Sequence, residues 1–192
     1  MKRVVIAIAA GAALAAGCAS TPPPHFYTLS PEVAQAGAAP GPSVSVTAGI
    51  PDALDRPQFV VVVNANEVAI LEQQRWAGPL AGEIGRTIAQ NISRATGNPN
   101  VGAYPQGNAP SADYRVLVDI QRFAGRLDGE VEVEALWSVR AAQGGVLHRG
   151  RSSARETAGK TYDTLVAAYN RALAKISGDI APALKSLPPP KR

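Results

Sequence analysis

Apolar and polar residues alternate with a period of two over several short stretches, which is typical of strands that face a core on one side. Alternation predicts three such strands and continuous apolar runs predict two more, which gives in chain order residues 43–46, 59–63, 68–71, 114–120 and 131–139. Short loops separate the second strand from the third and the fourth from the fifth, and such connections predict antiparallel hairpins. A sixth stretch, residues 146–156, follows a Gly-Gly turn and is largely polar, which favours the edge of a sheet.

Two other segments repeat apolar residues at every third or fourth position and predict amphipathic helices. The first begins after Pro79, ends before Gly97, and carries a stripe formed by Leu80, Ile84, Ile88 and Ile92. The second covers residues 161–185 behind an N-cap at Thr161. The order of strands, helix, strands, helix predicts an α+β fold in which two helices cover one face of a mixed, largely antiparallel sheet.

The N-terminus has the pattern of an export signal, because Lys2 and Arg3 precede an apolar run that is too short to span a bilayer. The run ends at Leu-Ala-Ala-Gly-Cys, and Cys18 is the only cysteine in the chain. These features predict a signal peptide over residues 1–17 and a mature lipoprotein with a diacylglyceryl group and an N-acyl chain on Cys18. We predict no cofactor besides this covalent lipid. An ordinary secretory signal with an unmodified cysteine is the alternative.

Residues 18–42 are rich in Pro, Ala and Gly and predict a tether between the lipidated cysteine and a single domain at residues 43–186. The apolar island at 25–29 within this tether is compatible with a short edge strand. We nevertheless expect the domain to fold without the tether, since the tether offers few apolar groups to a core. Residues 187–192 contain three prolines and predict a flexible tail.

Charge and motif content exclude several classes of function. The 19 Lys and Arg exceed the 15 Asp and Glu by four, and the excess falls to two when Lys2 and Arg3 leave with the signal peptide. No basic cluster is interleaved with aromatics, so nucleic acid is not a predicted partner. His25 and His148 lie in no metal-binding or nucleophile motif, and we predict no enzymatic activity. Solvated charges are more common than a cation site in an alternating set such as Glu130, Glu132 and Glu134.

Five segments occur in order along the mature chain: CASTPPPHFYTL at 18–29, IPDALDRPQ at 50–58, RWAGPL at 75–80, DYRV at 113–116 and ALWS at 135–138. Together they resemble the PqiC-type ABC-transport auxiliary lipoproteins. Gly78 departs from the family pattern, in which an acidic residue is usual at that position. The resemblance implies a fold like that of the N-terminal domain of TolB, an MCE-domain transporter protein as partner, and a lipid as cargo. It leaves homo-oligomer formation open.

The same resemblance implies a lipoprotein held by its lipid on the periplasmic face of the outer membrane. Ala19 and Ser20 agree with this location, since no aspartate directly follows Cys18 as it does in inner-membrane retention signals. A stand-alone periplasmic lipoprotein that binds a lipid or an envelope polymer is the alternative function.

The predicted partner-binding surface follows by elimination. The periodic stripes assign most large apolar residues, including Trp137, to the core, but they give no inward face to one loop and one tryptophan. We therefore predict that the partner contacts Leu54, Asp55, Arg56, Pro57 and Gln58, together with Arg75 and Trp76. The alternatives are a turn in which Arg56 pairs with Asp52 or Asp55, and a Trp76 ring that covers the start of the helix.

Overall fold

The computed structural model describes residues 22–104 and 111–188. Its elements in chain order are β1 His25–Tyr27, β2 Val44–Gly49, a 3₁₀ turn Asp52–Leu54, β3 Gln58–Asn64, β4 Glu67–Trp76, α1 Leu80–Thr96, β5 Val101–Ala103, β6 Tyr114–Gly125, β7 Glu130–Ala141, β8 Val146–Thr157 and α2 Tyr162–Lys185. The predicted signal peptide, Cys18 and the end of the predicted tail lie outside the described residues.

The larger sheet has five strands in the order β5-β2-β6-β7-β8. β2 lies parallel to both β5 and β6, whereas β6, β7 and β8 form an antiparallel meander with Val116 opposite Val139. The predicted hairpin over 114–120 and 131–139 and the predicted edge strand at 146–156 are thus confirmed. The sheet is mixed because β2 is inserted between β5 and the antiparallel meander and lies parallel to both of its neighbours.

Both helices lie on one face of this sheet, with α1 over β2 and β5 and α2 over β7 and β8. The helical stripes and the inward residues of the strands form one core, whose fully buried members include Ile84, Ile88, Val116, Leu173 and Ile176. α1 ends at Gly97, which adopts the left-handed conformation with φ 73°. α2 begins with a reciprocal cap between Thr161 and Thr164. The α+β class and both predicted helices are confirmed.

The remaining strands form a second sheet, so the prediction of one sheet is wrong. β3 and β4 pair as the predicted hairpin, and β1 adds to β4 in parallel to give the order β1-β4-β3. The hairpin register shifts between Gln58 and Phe59, so three residues of β4 have no partner on β3. The hairpin packs against the larger sheet through the Trp76 ring, which contacts Phe59 of its own sheet and Phe123 of β6.

Residues 25–42 belong to the folded body, which corrects the predicted domain start at residue 43. Leu29 is 1% exposed and lies in the core. The Ser30 N–H donates to Asn170 Oδ1 at 3.0 Å, and the N–H groups of Glu32 and Val33 donate to Asn91 Oδ1 at 3.0 and 3.2 Å. The segment packs here because the two helices present buried amides that satisfy its backbone, a feature that composition does not reveal.

None of the helices that the structure describes within residues 22–188 is both long enough and apolar enough to cross a bilayer.

Candidate functional site: a groove bordered by the 54–58 loop

The predicted loop and Arg75 lie together at one edge of the smaller sheet. The 3₁₀ turn carries the chain from β2 towards β3, and the Arg56 N–H donates to the Leu54 carbonyl at 2.8 Å. The Trp76 N–H donates to the Pro57 carbonyl at 2.7 Å, and Gln58 stands opposite Arg75 in the ladder. The structure therefore brings the two sequence-predicted segments into contact.

Trp76 is a core residue, contrary to the premise that it has no inward face. Its side chain is 5% exposed. Its ring packs against Phe59 at a centroid distance of 4.3 Å and against Phe123 and Tyr169 at 6.3 and 6.2 Å. Sequence periodicity missed this position because the register shift in β4 breaks the alternation just before Trp76. The indole leaves almost no surface for a partner, so only the loop and Arg75 remain accessible.

Arg56 does not form the alternative salt-bridged turn. Within the part of the chain that the structure describes, no ion pair joins it to Asp52 or Asp55, and its Nε lies buried without a hydrogen-bond partner. Arg75 binds within β4, since its Nε donates to the Glu72 carbonyl at 2.9 Å. The loop thus carries a guanidinium whose charge is not neutralised by its neighbours, which suits recognition of an acidic or carbonyl-rich partner.

A groove of about 830 Å³ opens beside the loop, between α1 and the edge of the larger sheet. Asp55 lies on its border, and Arg86 and Tyr104 also line it. Its walls are mainly small and apolar, formed by Val46, Ala48, Ala81, Gly82, Gly85, Ala89, Val101 and Ala103 among others. Small residues on one face of α1 form this wall. The sequence pattern predicted the helix but not that these residues border a groove.

At Gly85, α1 lies against the backbone of β2. A methyl group at position 85 would lie 3.4 Å from the Ala48 backbone nitrogen and 3.9 Å from the Val46 carbonyl oxygen. β2 pairs with β5 only as far as Val46 opposite Ala103. Beyond that point, residues 47–49 have β6 on one side and no other strand among the described residues. Within residues 22–104 and 111–188, the groove therefore combines an apolar wall with a strand edge that pairs with no other strand, and such an edge can accept an extended peptide or an apolar chain.

A carboxylate ties the N-terminal segment to the wall of the groove. Glu83 Oε2 accepts hydrogen bonds from Thr28 Oγ1 at 2.5 Å and from the Leu29 N–H at 3.2 Å, and it pairs with Arg86 at 2.5 Å. Because Arg86 is held by Glu83, its charge at the groove is largely compensated. Asp55 is then the exposed ionised group on the border of the groove.

The alternating glutamates bind arginines on the outer face of the larger sheet. Glu132 pairs with Arg122 at 2.5 Å and Arg155 at 2.7 Å, and Glu134 pairs with Arg151 at 2.7 Å. The hydrogen bond from Arg155 holds the pKa of Glu132 below its usual value. Among the residues described, no group of three or more His, Cys, Asp or Glu is placed to bind a metal ion.

His148 lies near one hydroxyl group, with its Nε2 3.4 Å from Ser186 Oγ. The Ser186 hydroxyl donates to the Ala183 carbonyl at 3.0 Å. No carboxylate within residues 22–104 and 111–188 bonds to His148 to orient it. The pair thus lacks the third group that a nucleophilic site requires.

Comparisons with known proteins identify the fold and the family. The family model described as "ABC-type transport auxiliary lipoprotein component" matches residues 27–181. No curated protein matches the chain. Among solved structures, protein XCC0632 from Xanthomonas campestris, which is assigned to the family DUF330, is 14% identical with a TM-score of 0.66, over 82% of this chain and 92% of that one. An uncharacterized protein is 21% identical with a TM-score of 0.65, over 84% and 98%. At these identities the two likenesses show the fold alone.

Proposed function

Because the chain belongs to the family of ABC-type transport auxiliary lipoprotein components, we propose that it is the non-catalytic subunit of an MCE-type intermembrane lipid transport system. As a lipoprotein of this family it is anchored in the cell envelope and works with components of an ABC-type transport system. The observation that carries the proposal is the family match, which extends from β1 to the last turns of α2. The likeness of its fold to the N-terminal domain of TolB belongs to the proposal as well.

The proposed anchor is the lipid on Cys18, and the proposed membrane is the outer one. Cys18 follows an apolar run and small residues, and no aspartate follows it. Two or more acyl chains anchor a protein stably on a bilayer, whereas one chain gives only marginal, reversible binding. Cys18→Ser should therefore release a soluble form, which fractionation of the envelope after a high-salt wash detects. A variant that stays in the membrane fraction would contradict the anchor.

The proposed docking site for the MCE-domain protein is the groove with the 54–58 loop on its border. An extended segment of the partner would lie along the unpaired edge at residues 47–49, with its apolar side chains against Ala81 and Ala89. Arg56 and Asp55 would fix its direction through charge-assisted hydrogen bonds. The auxiliary subunit then acts by position, since it holds the transporter component close to the membrane that carries its own lipid.

The groove can be blocked without changing the core. Ala81 is half-buried on the wall of the groove, and Ala174 is half-buried on α2 outside it. Ala81→Trp should abolish capture of the MCE-domain protein by the lipidated chain from detergent-solubilised envelopes, whereas Ala174→Trp should not. Equal melting temperatures of the two variants make the comparison valid. If the unaltered chain captures neither an MCE-domain protein nor an ABC-transport component, the proposed function is wrong.

The second candidate function, a stand-alone lipoprotein that binds a lipid or an envelope polymer, is favoured by one observation. The groove is large enough for part of an acyl chain, and much of its lining is apolar. A carrier would retain lipid when the Cys18→Ser form is purified, and the retained lipid would be lost in Ala81→Trp. A docking subunit would carry no lipid in either form, which mass spectrometry of the intact protein distinguishes.

A further inference from the structure

The outer face of the smaller sheet is apolar at the end where β3 turns into β4. In the hairpin register Val60 stands opposite Ile70 and Val62 opposite Val68, so these four side chains share the face opposite to buried Phe59. Val68 is 56% exposed and Ile70 is 45% exposed. Val60 and Val62 are half-buried, so Val68 and Ile70 form the exposed part of this face. We call the outward side chains of Val60, Val62, Val68 and Ile70 the hairpin face.

β1 directs the chain that precedes it towards the same end of the sheet. β1 lies parallel to β4, with His25 opposite Gln74 and Tyr27 opposite Trp76. The chain before His25 therefore leaves the sheet in the direction of the β4 start, which is the turn of the hairpin. Cys18 precedes His25 by seven residues, which span at most about 25 Å. The seven steps along β4 from Glu67 to Gln74 cover about 23 Å, so the segment before His25 is long enough for Cys18 to reach the level of the turn.

Basic side chains flank the hairpin face at this end. A hollow of about 380 Å³ beside the turn is lined by Val62 and Asn64, by the three arginines Arg122, Arg126 and Arg155, and by the two acidic residues Glu130 and Glu132. Arg122 and Arg155 share Glu132, whereas Arg126 is exposed and has no ion pair within residues 22–104 and 111–188. An apolar surface bordered by a free cation suits the boundary between the acyl chains and the anionic headgroups of a bilayer.

We propose that the hairpin face rests on the leaflet that carries the Cys18 lipid, with Val68 and Ile70 at acyl-chain depth and Arg126 at the level of the phosphates. The inference depends on the proposed anchor at Cys18 but not on the proposed transporter partner. Such contact would fix the orientation of the domain and not merely its distance from the membrane. The groove, on the opposite side of the 3₁₀ turn, would then face away from the lipid and towards the periplasm.

The chain offers a direct test, because its only cysteine is the proposed lipid site and a second cysteine would be the single thiol open to labelling. Ile70→Cys places a label on the hairpin face. Leu147→Cys is the matched control, since Leu147 is 41% exposed and Ile70 is 45% exposed. Leu147 on β8 lies beside the Val139–Val116 pair. Val116 is eight residues along β6 from Ala124, which lines the hollow, so the two positions are about 27 Å apart.

Both lipidated variants are labelled with a nitrobenzoxadiazole dye and reconstituted into vesicles of phosphatidylethanolamine and phosphatidylglycerol. Nitroxide-labelled phospholipid should quench the dye at position 70 at least about two-fold and shift its emission to the blue, and it should leave position 147 unchanged. Equal quenching at both positions, or none at position 70, would overturn the inference.

Two further outcomes identify another occupant. A blue shift at position 70 that grows with the protein-to-lipid ratio and does not respond to the nitroxide would show that a second copy covers the hairpin face. If the chain does not float with the vesicles, the Cys18 anchor is wrong and the inference falls with it. The transporter proposal is unaffected by either result, because the assay contains no transporter component.

Discussion

Trp76 connects the two sheets through side-chain packing. Its ring lies among Phe59, Phe123 and Tyr169, and burial raises the pKa of the Tyr169 hydroxyl. Trp76→Ala should lower the free energy of unfolding by about 3–5 kcal/mol, because it removes a large buried side chain and leaves a cavity. Arg56→Ala, two positions before β3, should change it by less than about 1 kcal/mol. Urea unfolding of both variants measures the difference, and similar midpoints would show that Trp76 is not a core residue.

Glu156 gives the stability of the protein a defined pH dependence. It accepts hydrogen bonds from Lys175 at 2.6 Å and Arg171 at 2.9 Å, and these contacts, Lys175 first, hold its pKa below the ordinary value of 4.5. A lowered folded-state pKa means that the unfolded chain takes up the proton first on acidification. The stabilisation is therefore complete above pH 4.5 and is lost as the pH falls through the lowered value.

Glu156→Gln should accordingly destabilise the protein at pH 7 and flatten the decline below pH 4.5. Chemical denaturation across this range measures both effects. Glu67→Gln, an exposed position on the hairpin, is the control. An unchanged slope in Glu156→Gln would mean that the β8–α2 ion pairs do not contribute to acid unfolding.

Substitution of the glycine that ends α1 and of the glycine within α2 should have opposite effects on stability. Gly97 has φ 73°, and a methyl group there would lie 1.9 Å from the Gly37 carbonyl oxygen. Gly178 is exposed within α2 and a methyl group there would have no neighbour within 4 Å. Gly97→Ala should therefore destabilise by at least about 1 kcal/mol, whereas Gly178→Ala should stabilise by about 0.8 kcal/mol through helix propensity. Thermal melting of the pair tests the assignment, which fails if both shifts have the same sign.

The elements that the sequence predicted correctly are those in which apolar residues repeat at a regular interval without interruption. The stripe from Leu80 to Ile92 and the alternation in β6 and β7 each fix a buried face without help from distant residues. β1 and β5 are three residues long and exist only because β4 and β2 supply their partners. No local pattern encodes such pairing, so the division of the strands into two sheets could not be predicted from periodicity.

At the scale of the whole molecule, residues 25–42 are part of the domain. A chain that begins at Ser43 loses β1, the buried Leu29 and the hydrogen bonds to Asn91 and Asn170. Loss of Leu29 alone should cost about 2–5 kcal/mol. We therefore expect the chain from Ser43 to unfold at markedly lower urea concentration than the chain from Pro22. Equal circular dichroism and equal midpoints would restore the original expectation that the domain is independent of this segment.

The candidate site was predictable in part. The loop at 54–58 and Arg75 stood out because no periodic stripe includes them, and the structure places them side by side. The same elimination misplaced Trp76, since a register shift hid its inward direction. The groove was not predicted, because small residues such as Gly85 and Ala89 on a helix do not distinguish a wall beside a cleft from close helix packing.

The central claim is that the groove border contacts an MCE-domain transporter protein, and photo-crosslinking in living cells tests it most directly. A benzophenone amino acid replaces Asp55 on the border of the groove or, as the control, Asp179, which is exposed on α2. We expect a covalent adduct with the MCE-domain protein from position 55 and none from position 179. An adduct from position 179 alone, or no adduct from position 55 when the unaltered chain still captures the partner, would contradict it.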